Sequence, residues 1–237
     1  IRDYKVTGVQ TCALPILIDR QMVKKLVENV KEQAPALVEE LVPDGMKIGD
    51  IQKVLKRLLR ERVPIRDLIT ILETLADYCN QTNNTDVLNE YCRAALSETI
   101  TRQFATPENE VVVVMLEPQL ESHLIAQAQQ GTLNSNTLGL TPDTVERLYQ
   151  SSSTTFTNMV RKGFEPLLLT SPILRFTLFE FLAPILPDIN VLSYNDISQD
   201  IQFKTFDRLT IQAPAREIES HQAETNQQPI TEETELV

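Results

Sequence analysis

The side chains most able to do chemistry, by type and spacing, are the lysines and arginines of residues 47–66. Seven of them stand against two acidic residues, Asp50 and Glu61, so this stretch carries a net charge of +5 in a 237-residue chain of formal charge −11. A face of that charge binds phosphate groups or an acidic protein surface. The seven residues are Lys47, Lys53, Lys56, Arg57, Arg60, Arg62 and Arg66.

Reactive and ligand-binding patterns are missing from the rest of the sequence. The six glycines form neither a dinucleotide-binding G-x-G-x-x-G motif nor a phosphate-binding loop. His123 and His221 stand alone, and the three cysteines lack the spacing of a zinc site or a disulfide framework. The sequence therefore predicts a protein that is not an enzyme and that uses no cofactor or metal. A small α/β enzyme with a site assembled in space is kept as a further alternative.

Two amphipathic helices must position the basic residues. Apolar side chains recur at helical spacing over residues 48–59 and again over 68–79, with a short break at Val63-Pro64-Ile65. Such a pair is either a DNA-reading helix-turn-helix or an ordinary helical hairpin. Residues 17–212 carry −7, and the second helix presents mostly acidic and neutral residues outward, which opposes contact with phosphates. We therefore favour a protein contact and no nucleic acid, with a winged-helix-like DNA-binding regulator as the alternative.

The remaining helices of the first half are predicted from the same spacing. Residues 20–41 form a helical stretch that Pro35 should kink or divide, because proline lacks an N–H donor and disfavours helix at the preceding residue. A helix over 86–104 follows, with Thr85 as its N-cap. Its inward residues are predicted to be Leu88, Tyr91, Ala95 and Phe104. Residues 17–106 thus form a predicted α-helical subdomain.

Short apolar runs alternate with helices in the second half of the chain. A helix of this length between two short apolar runs is typical of a βαβ unit with parallel strands. The middle of the long helix, Ser151–Thr155, is expected to be distorted, and Ser171 is expected to cap the last helix. The predicted elements are strand 111–116, helix 118–130, helix 142–162, strand 166–170, helix 172–186, strand 190–192 and edge strand 201–211. The predicted fold class is α+β and multidomain, with a small α/β subdomain over 107–212.

The two ends of the chain are treated apart from the fold. The chain opens at Ile1 without an initiator Met and is interpreted as a fragment, and residues 1–16 resemble a translated sequencing adapter. Residues 213–237 carry −5 and few large apolar side chains, which predicts an idle flexible tail, with partner binding as the alternative. Because no apolar run is long enough to span a bilayer, the visible chain is predicted to be soluble.

Several separated motifs resemble the FlhA family of flagellar export-gate proteins of type III secretion. The most specific is ALVEELVPDGMKIGDIQKVLKRLLRERVPIRDLITILETLADY over residues 36–78. The later motifs follow in the order of the family, and the resemblance runs from about Leu17 to Ile211. They are VVVVMLEPQLE (111–121), LGLTP (138–142), PLLLTSPILR (166–175) and LPDINVLSYNDI (186–197). An injectisome export-gate paralogue is the alternative within this resemblance.

The resemblance implies a longer protein with an N-terminal half in the bacterial inner membrane and a cytoplasmic C-terminal half of four subdomains. Residues 17–106 and 107–212 would be the third and fourth of these. The family implies a homo-oligomeric ring, nonameric in the family. Its implied partners are export chaperone–substrate complexes, which dock largely on the part not present here, and components of the export ATPase complex.

One departure from the family lies at the break between the two helices. The family usually has Gly-Val-Ser-Ile-Arg-Asp where this chain has residues 62–67, RVPIRD. The usual serine would cap the second helix, whereas Pro64 is expected in its first turn. Asn195-Asp196 in place of Asn-Glu is a milder change. The ring contact is predicted for Lys56, Arg57, Arg60, Arg62, Arg66 and Asp67.

Overall fold

Six helices make up the first half of the part that the computed structural model describes, which is residues 18–211 without the side chains of Pro43 and Asp44. They are α1 Arg20–Gln33, α2 Pro35–Glu40, α3 Ile48–Arg60, α4 Leu68–Cys79, α5 Thr85–Ala95 and α6 Ser97–Phe104. The predicted division at Pro35 is confirmed, because Pro35 begins α2 and Ala34 leaves the helical conformation (φ −135°, ψ 70°). A kinked turn over Leu41–Gly45, in which the backbone of Val42 is extended (φ −128°, ψ 127°), leads into the second pair of helices.

A parallel four-stranded sheet organises the second half. Its strands stand in the order β3-β2-β1-β4, and every neighbouring pair is parallel. The βαβ unit and the edge position of the last strand are therefore confirmed, as is the mixed α and β fold class. The elements are β1 Glu110–Leu116, α7 Pro118–Gln129, α8 Pro142–Arg161, β2 Leu167–Thr170, α9 Pro172–Leu182, β3 Asn190–Ser193 and β4 Gln202–Leu209.

The helices and the sheet share one hydrophobic core. The buried apolar side chains form a single cluster that runs from Ile18 to Leu209. Helix α8 packs on β4, and α9 packs on β2 and β3. Strands β2 and β3 are buried at every residue, as expected for parallel strands covered on both faces. No helix of residues 18–211 is long and apolar enough to cross a membrane.

The helix predicted over 86–104 is two helices. The chain leaves the helix at Leu96 (φ −92°, ψ 11°), and the cap of α5 is Asn84 rather than Thr85. The prediction that Tyr91 and Ala95 face the core was wrong, since both are exposed. The buried residues of α5 lie one position further on, because Arg93 pairs inside the protein and Tyr91 stacks outside on Tyr78 at 4.0 Å.

Two local predictions for the second half were also wrong. Helix α8 runs without a break through Ser152 and Thr155, which are buried at positions where small side chains permit close packing. Ser171 makes no side-chain cap bond at the start of α9. Instead the Glu121 carboxylate accepts hydrogen bonds from the Ser171 N–H at 2.8 Å and from the Thr170 hydroxyl at 3.1 Å. A side chain 50 positions away thus fixes the residues that lead into α9, while the N–H groups of Leu174 and Arg175 donate to the Ser171 carbonyl.

Helix α3 ends in a left-handed residue. Arg62 has a φ of 61°, and the N–H groups of Arg62 and Val63 donate to the carbonyls of Leu59 and Leu58. These two bonds and the burial of Val63 against Leu58 form a Schellman motif, whose left-handed position favours glycine. The glycine usual in the family at this position is explained by that geometry.

Helix α4 covers Leu68–Cys79, as the apolar spacing predicted, but the expectation that Pro64 stands in its first turn was wrong. Pro64 lies in the connecting segment rather than in the first turn, and Asp67 is the N-cap. One oxygen of the Asp67 carboxylate accepts from the Thr70 N–H at 3.2 Å and the other from the Thr70 hydroxyl at 2.8 Å. Pro64 cannot offer a side-chain acceptor, so the helix starts at the next residue that can.

Candidate functional site

Four charged side chains meet in the interior where the helices contact the sheet. Glu61 follows the last residue of α3, Arg93 comes from α5, Arg175 from α9 and Asp196 from the turn after β3. Their side chains are at most 3% exposed. We call these four residues, with Glu90 of α5 at their edge, the buried charge cluster.

Glu61 is the centre of the buried charge cluster. Its Oε2 accepts hydrogen bonds from Arg175 at 2.7 Å and from Arg93 at 2.9 Å. Its Oε1 accepts from the Nε of Arg57 at 3.4 Å. One carboxylate therefore serves guanidinium groups from three different helices, and it is buried at a place where an unpaired charge would be very costly.

Arg175 is held by two acids. Its guanidinium donates to Glu61 and, through Nε at 2.8 Å and Nη2, to both oxygens of Glu90. Burial lowers the pKa of Arg175, but the attraction of Glu61 and Glu90 outweighs this and raises the pKa above its ordinary value. Arg175 is thus a permanent positive charge in the interior.

Asp196 anchors the other end of the buried charge cluster to the sheet. Its two oxygens accept from Arg93 at 3.2 and 2.9 Å, the bidentate geometry that suits guanidinium and carboxylate. The oxygen Oδ2 also accepts from the Ser193 N–H at 2.7 Å, and the backbone carbonyl of Asp196 accepts from the Thr101 hydroxyl at 2.8 Å. The turn after β3 is therefore bonded directly to α5 and α6.

The chemistry available to this arrangement is structural. Each acid of the buried charge cluster is paired with arginine, and arginine does not exchange protons near neutral pH, so the cluster lacks a free base or nucleophile. Within residues 18–211 no group of three or more histidine, cysteine, aspartate or glutamate side chains stands close enough to hold a metal ion. Cys92 is inert as well, because burial raises the pKa of its thiol to about 12.

The predicted contact residues divide into two sets in the structure. Arg57, Arg60 and Arg62 bond within the chain. The guanidinium of Arg57 lies 3.3 Å from the ring centre of Phe176 and also pairs with Asp86, while Nη1 of Arg60 lies 2.6 Å from Glu180. Three basic side chains of the predicted contact therefore hold the helices onto the sheet region or onto each other.

Arg62 reaches the segment before β3. Its Nη2 donates to the Asp188 carboxylate at 2.6 Å and to the carbonyl of Pro187 at 3.1 Å. The side chain that replaces the family's usual glycine thus adds a tie between the two halves of the described chain.

Burial lowers the pKa of Arg57, with Glu61 opposing that shift.

Lys56, Arg66 and Asp67 form the second set. Arg66 and Asp67 are exposed and Lys56 is half-buried. Neither Lys56 nor Arg66 makes an ion pair within residues 18–211. These two cations are the part of the predicted contact that is available to another molecule, whereas Asp67 is occupied in capping α4.

Sequence reasoning missed the buried charge cluster. The sequence did contain one indication, which is a single charged residue next to apolar residues that face the core. Arg175 follows Leu174 and lies one turn before Leu178, and Arg93 follows the buried Cys92. A charge at such a position must find an acid inside the protein. The sequence alone does not say which acid, because Glu61 lies 114 residues away from Arg175.

A shallow apolar groove of about 250 Å³ lies near these residues, and further concave regions are lined by Arg62 and by Arg66. It lies between the last turns of α8 and the segment before β3. Its lining includes Phe156, Val160, Pro166, Leu186 and Ile189, and Val160 is 54% exposed. Its lining bears no cluster of polar groups that would orient a small molecule.

Paired buried charges and a core shared by helices and sheet define a structural scaffold. The chain belongs to the FHIPEP family, whose model matches residues 4–202. This family is a structural component of the type III secretion export gate and not a family of enzymes, which confirms both the resemblance and the prediction of a non-enzymatic protein. The match begins inside residues 1–16, which lie outside the described residues, so their assignment to an adapter stays a prediction.

Relatives and solved structures agree on this family. The flagellar biosynthesis protein FlhA of Bacillus subtilis (strain 168) is 41% identical over 189 residues, 80% of this chain and 28% of the relative. CdsV of Chlamydia pneumoniae, solved in complex with CdsO, matches with a TM-score of 0.75 at 28% identity. The match covers 84% of this chain and 57% of the CdsV chain. The nonameric cytosolic domain of EscV, from a type III secretion system, shares the fold (TM-score 0.68, 23% identity, 84% and 58% coverage). The chain spans between a quarter and a third of the FlhA relative.

Proposed function

We propose that this chain is part of the cytoplasmic half of a flagellar protein-export gate, where it forms ring contacts and helps to dock export cargo. The observation that carries the proposal is the 41% identity to FlhA over 80% of the chain, against 28% to CdsV. That difference favours the flagellar branch over the injectisome paralogue. The proposal places the protein in the bacterial inner membrane through a further N-terminal half.

The proposed partners are a second copy of the chain, chaperone–cargo complexes and other parts of the secretion apparatus. EscV was solved as a nonamer and CdsV was solved with CdsO, and both share this fold. Within that frame, residues 17–106 and 107–212 correspond to the third and fourth subdomains. The helices up to Phe104 and the sheet from Glu110 support the division.

The structure bears on which basic residues meet a neighbouring subunit. Arg57, Arg60 and Arg62 already pair with Glu61, Glu180 and Asp188 of the same chain, and reversing the charge of the largely buried Arg57 would damage the fold as well as any contact. Lys56 and Arg66 are the members of the predicted set that we propose for the ring contact. The same engagement leaves the chain little basic surface for DNA, which disfavours the DNA-binding alternative.

The test is self-association of the complete cytoplasmic half carrying Lys56→Glu and Arg66→Glu. We expect association to weaken by about tenfold or more, equivalent to about 1.4 kcal/mol, measured by sedimentation velocity over a concentration series. The matched control is Arg147→Glu with Arg161→Glu on α8, which makes the same charge change and should leave association unchanged. Unchanged sedimentation of the Lys56 and Arg66 variant would refute the contact.

A further inference from the structure

The last strand of the sheet has an open outer edge. Among residues 18–211, strand β4 pairs with β1 alone, and seven of its eight residues are exposed or half-buried. Apart from the ladder with β1, its backbone bonds within residues 18–211 are two, at its very end: the Arg208 N–H to the Asp207 carboxylate, and the Leu209 carbonyl to the Glu117 N–H. The other edge of the sheet, β3, is buried throughout.

An open edge of this length is a template for a further strand. The outward N–H and C=O groups of such a strand bind an extended segment through main-chain hydrogen bonds. Eight residues give β4 a length of about 26 Å, enough for a full added strand. Within the described residues β4 lacks a covering helix on its edge, an edge proline and a very short length, while its pairing with β1 shifts by one residue at Phe206 and Lys204 and Arg208 supply charge.

The open edge is positively charged within an acidic chain. Lys204 and Arg208 are exposed on β4, and the ammonium of Lys162 lies 5.0 Å from the ring centre of Phe206. The acid on the strand, Asp207, accepts from the backbone of its neighbour. Asp200 stands just before the strand, where its carbonyl accepts from Asn109. A segment that adds to this edge is therefore favoured when it is acidic.

Two aromatic side chains stand beside the start of the edge. Phe203 is 45% exposed and Tyr194 is 39% exposed, and their ring centres lie 6.5 Å apart. Exposed aromatic pairs are enriched where proteins bind other chains, because they supply a large apolar area at little entropic cost. They give an incoming strand an apolar contact in addition to main-chain bonds.

We propose that the open edge of β4 takes up the acidic segment of the same chain, residues 230–237, as an added strand. The segment reads ITEETELV, in which three glutamates lie among β-branched and aliphatic residues. It follows β4 in the chain, and residues 213–237 together carry −5 against the basic edge. The open edge supplies a binding site for a segment whose sequence alone predicts an idle tail.

The length of chain between the two segments permits this contact. Residues 212–229 form a linker of 18 residues, whose root-mean-square span is about 23 Å, close to the length of β4. A linker that matches the distance gives an effective concentration of about 1 mM or more. A strand addition with a Kd of about 0.1 mM is then about nine-tenths occupied without any second molecule, which protects the outward amides about tenfold.

The experiment measures backbone hydrogen exchange of β4 in the full chain. The variant Glu232→Lys, Glu233→Lys, Glu235→Lys should speed exchange of the β4 amides that do not bond to β1 by about tenfold, because the added strand is lost. The edge variant Lys204→Glu, Arg208→Glu should do the same. Combining the two variants reverses both charges and should return exchange to within about twofold of the wild-type rate.

The matched control is Glu217→Lys, Glu219→Lys, Glu224→Lys, which makes the same change in charge within the linker and should leave β4 exchange unchanged. Amides of β1 report whether the edge variant damages the sheet. If they also exchange faster, the proposal is judged from the variant of residues 232–235 only. Unchanged β4 exchange in that variant overturns the proposal. Protection that falls on dilution also overturns it, because a second copy would then cover the edge.

Discussion

At the scale of single residues, Glu61 is the acid that pairs with three arginines. Its carboxylate holds Arg93 and Arg175 in the interior and Arg57 at its margin, so its charge offsets more than one buried cation. Removing one partner of a buried pair costs far more than the pair contributes, because the remaining charge stays desolvated. The cost of losing Glu61 therefore falls on two arginines together.

Glu61→Gln is accordingly predicted to lower the free energy of unfolding by about 3–5 kcal/mol, measured by urea denaturation. Glutamine keeps the size of the side chain, so the loss reports the charge. The control is Glu98→Gln, whose partner Arg102 and own side chain are both mostly exposed. That change should cost less than about 0.5 kcal/mol. Equal effects of the two substitutions would contradict the assignment of Glu61 as the centre of the buried charge cluster.

Cys92 gives a prediction for alkaline pH. Burial raises the pKa of its thiol to about 12, above its ordinary value of 9.0. As pH rises past 9 the unfolded thiol ionises first, so stability present below pH 9 is lost between pH 9 and 12. The loss reaches about 1.4 kcal/mol per pH unit. Cys92→Ala should reduce the slope of unfolding free energy against pH in this range, and an identical slope would contradict the prediction.

Apolar helical spacing indicates which cysteines are buried but not which charges are. Cys79 and Cys92 fall at apolar helical positions and are buried, as that pattern indicates. Arg93 stands one position from Cys92, yet its side chain is equally inaccessible because Glu61 and Asp196 lie opposite it. Hydrophobic spacing records the preference of one residue, whereas a buried ion pair depends on partners that only the fold brings together.

At the scale of elements, the end of α3 explains a substitution against the family pattern. Arg62 occupies a left-handed position that favours glycine, and a residue with a Cβ atom there costs about 1–2 kcal/mol. Arg62 also bonds to Asp188 and Pro187, but its partner acid is 81% exposed, so the ion pair contributes little. The conformation of the backbone should therefore dominate the effect of substitutions.

Arg62→Gly is predicted to be more stable than Arg62→Ala by about 1 kcal/mol, since both lose the ion pair and only glycine fits the left-handed position without strain. The control is the same pair of substitutions at Lys53, which is exposed in the middle of α3. There the order should invert, because glycine inside a helix is about 1 kcal/mol less stable than alanine. Chemical denaturation of the four variants measures both differences.

Element boundaries followed from sequence where the signal was local and failed where it was not. Thr141 caps α8 and Gly163 follows its end in the left-handed conformation, and both are local signals in the sequence. The start of α9 was different, because the Ser171 side chain makes no cap bond and the Ser171 N–H donates to Glu121 on α7. A hydrogen bond between such distant residues leaves no trace in the spacing of either segment.

At the scale of the whole molecule, ion pairs join the two regions that the sequence predicts as separate subdomains. The basic stretch predicted as a free contact surface has three of its arginines bound within the chain. The buried charge cluster likewise links α3 and α5 to α9 and the turn after β3. The helices and the sheet also share one core, so separating them would expose paired charges and apolar surface together.

The helices and the sheet are therefore predicted to unfold as one cooperative unit. Native-state hydrogen exchange in low urea should give the same opening free energy, within about 1 kcal/mol, for amides of Ile71 and Leu72 in α4 and of Val113 and Val114 in β1. Their urea dependence should also be the same, because one opening exposes all of them. In Glu61→Gln the two sets should fall together. Helix amides that open at a lower free energy and with a smaller urea dependence than β1 would show instead that residues 17–106 and 107–212 unfold independently.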